Sequence, residues 1–321
     1  MADLNKNIGE INREHFDSVA ATIWKQPWVL DLLEHITTLI RSNIDWTGIP
    51  DKSCTGSTRM LDYACGNGTA ALAFAPWVSS IRGIDISAGM VEQFNSSTLE
   101  AGLSADQMSA IQGDLLAEPR SPDLSADPSL FNFDLAVMSM ALHHVRDTDL
   151  MLSRLVERLS PGGVLLIVDW GAASAVPSGS AKVLGPSSGA EGGHPHPHPH
   201  VHGHGHAPPQ APAAAPGKDC KCGRRHSRSR ENPEEDAEKL HTTIRTVAHK
   251  HGFSEQEMLA MFSRAGLEEA AVVSAEESFV MPEGMGGERR LFLARGRKPA
   301  AGRRSIRQGG AVEPEMRRAE G

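Results

Sequence analysis

No stretch of this 321-residue chain is apolar over the length a membrane-spanning helix needs, and its start lacks the charged-then-apolar pattern of a signal peptide. Both absences point to an intracellular protein, assigned to the cytoplasm with the nucleus left open. Cysteine is scarce. Of the four, Cys54 and Cys65 stand alone, and Cys220-x-Cys222 is too close for an ordinary structural disulfide framework. Positive charge is also short: 32 Lys and Arg against 40 Asp and Glu leave a net charge of −8, which argues against a general nucleic-acid binder. From Gly171 to about Asp236 the chain has too few apolar side chains to offset its ordering entropy, so this interval is expected to be disordered. What remains, roughly 230 residues, suffices for one α/β domain.

The chain is organised around Arg59-Met-Leu-Asp-Tyr-Ala-Cys-Gly-Asn-Gly-Thr69. This is a short apolar strand, a glycine turn, then an alanine-rich helix over Ala70–Val78. Such a turn lets a ligand approach the backbone, and the helix start offers unpaired N–H groups. Gly66-x-Gly68-x-x-Ala71 satisfies a dinucleotide fingerprint. Asp62 favours S-adenosylmethionine instead, because a carboxylate at the strand's end suits a cationic amino group and would be a poor neighbour for a pyrophosphate.

Around this stretch the periodicities predict two helices within residues 12–42, the second carrying Val29, Leu32, Leu33, Ile36, Leu39 and Ile40 at helical spacing. Trp24 and Trp28 are taken as packing residues there, with closure over a ligand as the alternative. A strand over Ile81–Asp85 is followed by Ser87 as an N-cap, and Asp85 stands where an acid reaches a ribose diol. A third strand, Ser109–Asp114, ends in Gly113-Asp114, a carboxylate suited to an exocyclic adenine amine. Phe133–Met140 is nearly continuous in apolar residues, as a strand buried on both faces should be. Asp147 or Thr148 caps a helix that Ser160-Pro-Gly-Gly163 ends, and Val164–Trp170 forms the fifth strand. Uninterrupted alternation of strand and helix gives a doubly wound, mostly parallel sheet. Lys239–His251 is expected to be helical. Ser254-x-x-Glu257 is a capping box, Gly266 stops its helix, and Leu267–Ser274 with Arg290–Ala294 closes the fold as a hairpin.

This order of motifs resembles the class I S-adenosylmethionine-dependent methyltransferases, especially the small-molecule group that includes the ubiquinone/menaquinone-biosynthesis type. The residues that carry it are Leu61-Asp-Tyr-Ala-Cys-Gly-Asn-Gly68, Gly83-Ile-Asp85, Gly113-Asp114, Leu142-His-His144, Leu159-Ser-Pro-Gly-Gly163 and Gly252-Phe-Ser254 with Ala265-Gly-Leu267. The resemblance implies a Rossmann-like, seven-stranded α/β fold with a C-terminal antiparallel hairpin. It divides the chain into an N-terminal helical cap (1–45), a cofactor-binding core (46–175), a His/Pro-rich insertion (176–236), returning helices and strands (237–298) and a flexible tail (299–321).

On the same resemblance S-adenosylmethionine is the cofactor, and methyl transfer runs in line to a small-molecule acceptor. Asp62, Ala64, Cys65, Gly66 and Gly68 would hold its methionine part, Asp85 its ribose and Asp114 its adenine amine. Ile86, Met90, Gly113, Leu115, Met138 and Ser139 would complete the contacts. Ala64 departs from the glycine usual there. His143 and His144 are the candidate bases, with His251 a further one, and Asp169 and Trp170 end the fifth strand on the same side.

Two other functions share these residues. A nicotinamide-linked oxidoreductase would use the same glycine turn, but Asp62, Asp114 and the closing hairpin argue against it. A metal-handling protein would use His194–His206 with Cys220, Cys222 and His226, although their spacing lacks a paired zinc framework. Adventitious divalent-metal uptake by that tract is expected; a preformed metal site is not. The basic cluster Lys218–Arg230, next to the acidic Glu231–Glu238, suits a solvated linker better than a nucleic-acid patch.

Overall fold

A computed structural model describes residues 7–49, 57–119, 122–172, 246–282 and 287–300. The insertion at 176–236, the helix start at 239–245 and the tail beyond 300 lie outside the described residues, so the expectations made for them are not addressed by the structure.

Five strands are mutually parallel: β1 (Arg59–Tyr63), β2 (Ser80–Asp85), β3 (Met108–Gln112), β4 (Phe133–Ser139) and β5 (Leu159–Trp170). Two more, β6 (Glu268–Ser274) and, later in the chain, Leu291–Arg297, complete the sheet as an antiparallel pair. Between that pair lies a short ladder of β7 (Phe279–Val280) and β8 (Glu288–Arg289), which makes Leu291–Arg297 β9. The order across the sheet is β3-β2-β1-β4-β5-β9-β6. It reverses at β1, so a crevice opens at the carboxyl edge between β1 and β4.

Alternation along the strands divides the apolar side chains between two layers. Met60, Leu135, Val137, Leu166 and Val168 face the layer with α2 (Pro27–Ser42) and α4 (Thr69–Phe74). Leu61, Ala136, Leu165 and Ile167 face α7 (Thr148–Arg158) and α8 (Glu255–Arg264). The remaining helices are α1 (Ile8–Val19), the single turn α3 (Ile44–Thr47), α5 (Ala88–Glu100) and the short α6 (Pro122–Ala126). Caps fall where the sequence places them: Ser87 accepts from Met90 N, Asp147 from Leu150 N, and Ser254 and Glu257 form a reciprocal box.

Three local expectations need correction. The first helix starts at Ile8 rather than near residue 12, because Asn7 and Glu10 make a capping box of their own. Ser160–Gly163 does not separate α7 from a later strand. It is the irregular start of β5, where Gly162 N donates to Lys298 O and Lys298 N to Gly163 O. The segment Val247–His251 is not helical. The His143 carbonyl captures both the Ala248 and His249 N–H groups at 2.9 Å, which a continuing helix would need for itself.

That segment turns at Gly252, with φ of +71°, and Phe253 then bridges to the end of β5. A Cβ on Gly252 would lie 2.4 Å from the Trp170 carbonyl oxygen, a backbone atom that cannot swing aside. Gly252→Ala is therefore expected to cost more than about 2 kcal/mol, seen as a lower urea midpoint with an unchanged slope.

Candidate active site

The carboxyl edge of the sheet and the N-terminal helices enclose a cavity of about 730 Å³, within the range of small-molecule sites. Along that edge Asp62 ends β1, Asp85 ends β2 and Asp114 follows β3, and all three line the cavity. Past the reversal come Met138, Ser139, His143 and His144, then Trp170 from β5. The cavity is thus acidic over β1–β3 and carries histidines and aromatics over β4–β5.

Asp62 is 1% exposed, and neither carboxylate oxygen has a hydrogen-bond partner. Burial pushes its acidity well above the carboxylate range. The Ala71 N–H, from the first turn of α4, offsets part of that cost without reaching hydrogen-bonding geometry, and the Asp85 charge adds a little to it. An anion left bare in a protein interior is costly unless a cation meets it. Asp85 is better served, accepting from Gly66 N and Ser87 N at 2.9 Å each, yet burial still pushes it up to about 6. Two of its acceptor positions are taken, which leaves room for a ligand diol. Asp114 accepts from Leu116 N at 2.8 Å and, more weakly, from the Tyr63 hydroxyl at 3.4 Å.

The glycine turn is tighter than its sequence suggests. Ala64 has φ of +55° and Met140, at the end of β4, φ of +54°. Non-glycine residues pay roughly 1–2 kcal/mol there, and such strain gathers where ligands bind. The departure from glycine at position 64 thus carries a backbone cost as well as an extra methyl. Gly66 is also left-handed (φ +51°), and a Cβ there would come within 3.3 Å of the Trp24 ring.

His143 and Asp169 form a buried pair. His143 is 7% exposed and Asp169 is fully buried, with His143 Nδ1 2.7 Å from Asp169 Oδ1. The carboxylate also accepts from His143 N at 3.1 Å and Trp170 N at 2.7 Å, so three donors hold it. Asp169 fixes Nδ1 as the protonated nitrogen, and among the described residues Nε2 has no hydrogen-bond partner, on a side chain that lines the cavity. His144 points Nδ1 at the Thr246 carbonyl, 2.8 Å away. Burial, and then the neighbouring His143, lower its basicity well below the usual histidine value, so it resists taking a proton. His251 is exposed and does not line the cavity.

Of the other sequence-assigned residues, Ala64, Cys65, Gly66, Ile86, Met90, Met138 and Ser139 line the cavity, and Gly68, Gly113 and Leu115 do not. Gly68 backs onto Met108 and Phe94, and Leu115 packs in the core with its N–H on the Tyr63 hydroxyl. Gly113 lines a separate polar recess of about 420 Å³ that shares Asp114 with the cavity. Trp24 and Trp28, taken as packing residues, both line the cavity, and Trp28 also packs against the core. Sequence reasoning missed Asn12 and His15, which α1 turns inward, and His249. Five buried polar atoms on lining residues lack a partner: Asn12 Oδ1, Trp24 Nε1, both Asp62 oxygens and His249 Nε2. A cavity with that many unmet groups fits a polar, partly cationic ligand. Among the described residues no group of three or more His, Cys, Asp or Glu side chains is placed to hold a metal ion.

Residues 31–272 match the model of the methyltransferase domain family. An uncharacterised methyltransferase of Schizosaccharomyces pombe is 28% identical over 131 residues, covering 41% of this chain and 45% of that protein. The ubiquinone biosynthesis O-methyltransferase of a Chelativorans species is 30% identical over 109 residues, covering 34% of this chain and 39% of that protein. The matched stretch thus spans less than half the length of either relative. Among solved structures, phosphoethanolamine N-methyltransferase 2 of Haemonchus contortus, in complex with S-adenosyl-L-methionine, superimposes with a TM-score of 0.46 at 12% identity. That superposition covers 88% of this chain and 60% of that one.

Proposed function

The chain belongs to the methyltransferase domain family, of the class I S-adenosylmethionine-dependent type, and from that premise we propose that it methylates a small-molecule acceptor, with His143 as its general base. The observation that carries the proposal is the unpartnered Asp62 carboxylate, buried beside Asp85 and Asp114 at the ends of successive strands. These three would hold S-adenosylmethionine: Asp62 facing its ammonium group, Asp85 its ribose hydroxyls and Asp114 its adenine amine. When bound, the cofactor supplies a methyl group activated by a sulfonium. The residues of the chain do the rest. Trp24 covers the glycine turn and helps exclude water. His143 Nε2 takes the proton of the acceptor, and Asp169 behind it holds Nδ1 and stabilises the imidazolium.

The acceptor half of the cavity favours a compact, largely apolar molecule. Val29, Leu32, Leu33 and Ile36 of α2, with Trp28 and Trp170, wall it, and the basic residues Lys250 and Arg289 stand at its lining. Among the described residues the cavity's lining acids beyond Asp62, Asp85 and Asp114 are Glu118, paired with Arg154 of α7, and Asp147 at the start of α7. The nicotinamide alternative has no support from the family matched. Among the described residues no helix is long and apolar enough to cross a membrane.

Titration calorimetry with S-adenosylhomocysteine tests the cofactor assignment. Binding is expected, with Asp85→Ala weakening it tenfold or more through loss of charge-assisted contacts of roughly 1.5–3 kcal/mol each. Absence of binding by the folded wild-type protein would refute the assignment. For the acceptor, labelled methyl groups should enter the small-molecule fraction of an extract rather than its protein or nucleic acid.

A further inference from the structure

We propose that Asp17 is a positioning residue, whose carboxylate latches α1 over the cofactor half of the cavity by gripping the N-terminus of α5 beside Asp85. The inference rests on the reading of the cavity as an S-adenosylmethionine site.

Few contacts other than Asp17 hold α1 down. Its only buried residues are Asn12 and His15, both polar. Of its half-buried apolar side chains Ile8, Ile11, Phe16 and Val19, Ile8 and Phe16 line the cavity together with those two, so much of the inward face of the helix looks onto ligand space. A surface helix normally docks through an apolar stripe. This one buries none of its apolar side chains fully and adds polar ties. Asn12 Nδ2 donates to the His144 carbonyl at 3.2 Å. The other tie is Asp17, whose Oδ1 accepts from the Ser87 hydroxyl at 2.6 Å and from Gly89 N at 3.1 Å.

The site of that grip matters. α5 is 13 residues long, and its first N–H groups favour an anion. Ser87 links two carboxylates: its N–H donates to Asp85 Oδ1 at 2.9 Å while its hydroxyl donates to Asp17. The same hydroxyl accepts from Met90 N at 3.1 Å and so caps α5. The contact is also close. A Cβ on Gly89 would lie 2.9 Å from the Ala20 Cβ and 3.5 Å from the Asp17 carbonyl oxygen. Asp17 therefore ties the covering helix to the residue that Asp85 uses to hold its own orientation. Release of the latch leaves Asp85 in place but uncovers the ligand, so its effect falls on ligand escape.

Wild type, Asp17→Ala and Asp17→Asn, each as the full chain, separate the possibilities with S-adenosylhomocysteine as the probe. Stopped-flow and calorimetry should show Asp17→Ala about tenfold weaker, with the change carried by faster dissociation and little change in association. Hydrogen exchange should show α1 amides opening faster in ligand-free Asp17→Ala while those of β4 and β5 stay protected, and bound ligand should restore part of the α1 protection. Asp17→Asn keeps an acceptor oxygen and should fall between the two. Equal dissociation rates and equal α1 exchange in wild type and Asp17→Ala would overturn the latch. Failure of the wild type to bind the probe would instead overturn the cofactor reading, and the ligand-free exchange comparison would still decide the latch.

Discussion

Asp62→Asn should make the ligand-free protein more stable and, at the same time, nearly unable to hold its cofactor. The carboxylate is buried with neither oxygen hydrogen-bonded, so the folded state bears most of its desolvation cost, only partly offset by the nearby Ala71 N–H. An amide of the same shape removes the charge and should return about 1–3 kcal/mol to the ligand-free fold, read as a higher urea midpoint. Binding of S-adenosylhomocysteine should weaken by roughly 10–100-fold, because a charge-assisted contact to the ammonium group is lost. Lower stability together with unchanged affinity would show that Asp62 is a structural acid.

The pH dependence of the ligand-free protein carries the same sign. Burial raises Asp85 to about 6, above the value near 3.8 of an unfolded chain, and Asp62 shifts in the same direction. A raised carboxylate binds its proton more tightly when folded. Its stabilising contribution is therefore complete below about pH 4 and is lost as pH rises through 6, amounting to roughly 3 kcal/mol for Asp85. Bound cofactor should flatten that loss, because it gives the ionised forms their partners. Cofactor affinity should fall in turn as pH drops below 6.

The second large effect is expected at the histidine pair. His143→Ala should slow methyl transfer by about 10²–10⁴-fold, the range for removing a positioned base, with S-adenosylhomocysteine affinity within about threefold of wild type. His144→Ala should cost far less in rate, since burial already keeps that ring neutral. Asp169→Asn is the sharper probe. It preserves shape, but its NH₂ group cannot accept the Nδ1 proton, so His143 is pushed toward the tautomer in which Nε2 is protonated and useless as a base. Initial rates of labelled-methyl transfer into a small-molecule extract would rank the three variants. Equal losses for His143→Ala and His144→Ala would remove the distinction drawn between them.

The strand-end acids were legible in sequence because each closes an apolar run and sits beside a glycine or a cap, a local pattern that needs no tertiary knowledge. The sheet was legible for the same reason, down to Ser87, Asp147 and Ser254 as caps. What stayed hidden depends on contacts between distant parts of the chain. The polar face of α1 looks like an exposed surface, yet Asn12 and His15 turn inward because the cavity, not solvent, lies beneath them. For Trp24 packing is the reading the sequence favours, because nothing local shows that its ring reaches a turn more than 40 residues away. Val247–His251 has helical composition, but a carbonyl at His143 takes the amides a helix would have used. The motif before Val164 has the residues of a loop, and pairing with Lys298 draws it into the strand.

That crossing of the chain at His143 has a practical side. Ala172 and Thr246 bound an interval of 73 residues, and just beyond its ends Phe253 donates to Trp170 O, Ala172 to Phe253 O, and Ala248 and His249 to His143 O. The acids of β1–β3 and the histidine pair with Asp169 all precede the interval, whereas the Ala248 and His249 N–H groups and the Thr246 carbonyl, which also brace the histidine turn, follow it. A protein made as two separate polypeptides, divided inside that interval, would bring its cofactor acids and the His143–Asp169 pair on one and the backbone groups that hold the histidine turn from the other side on the second. Methyl transfer would then report whether the two pieces had found each other, and the site would serve as a complementation sensor for any pair of proteins fused to the cut ends.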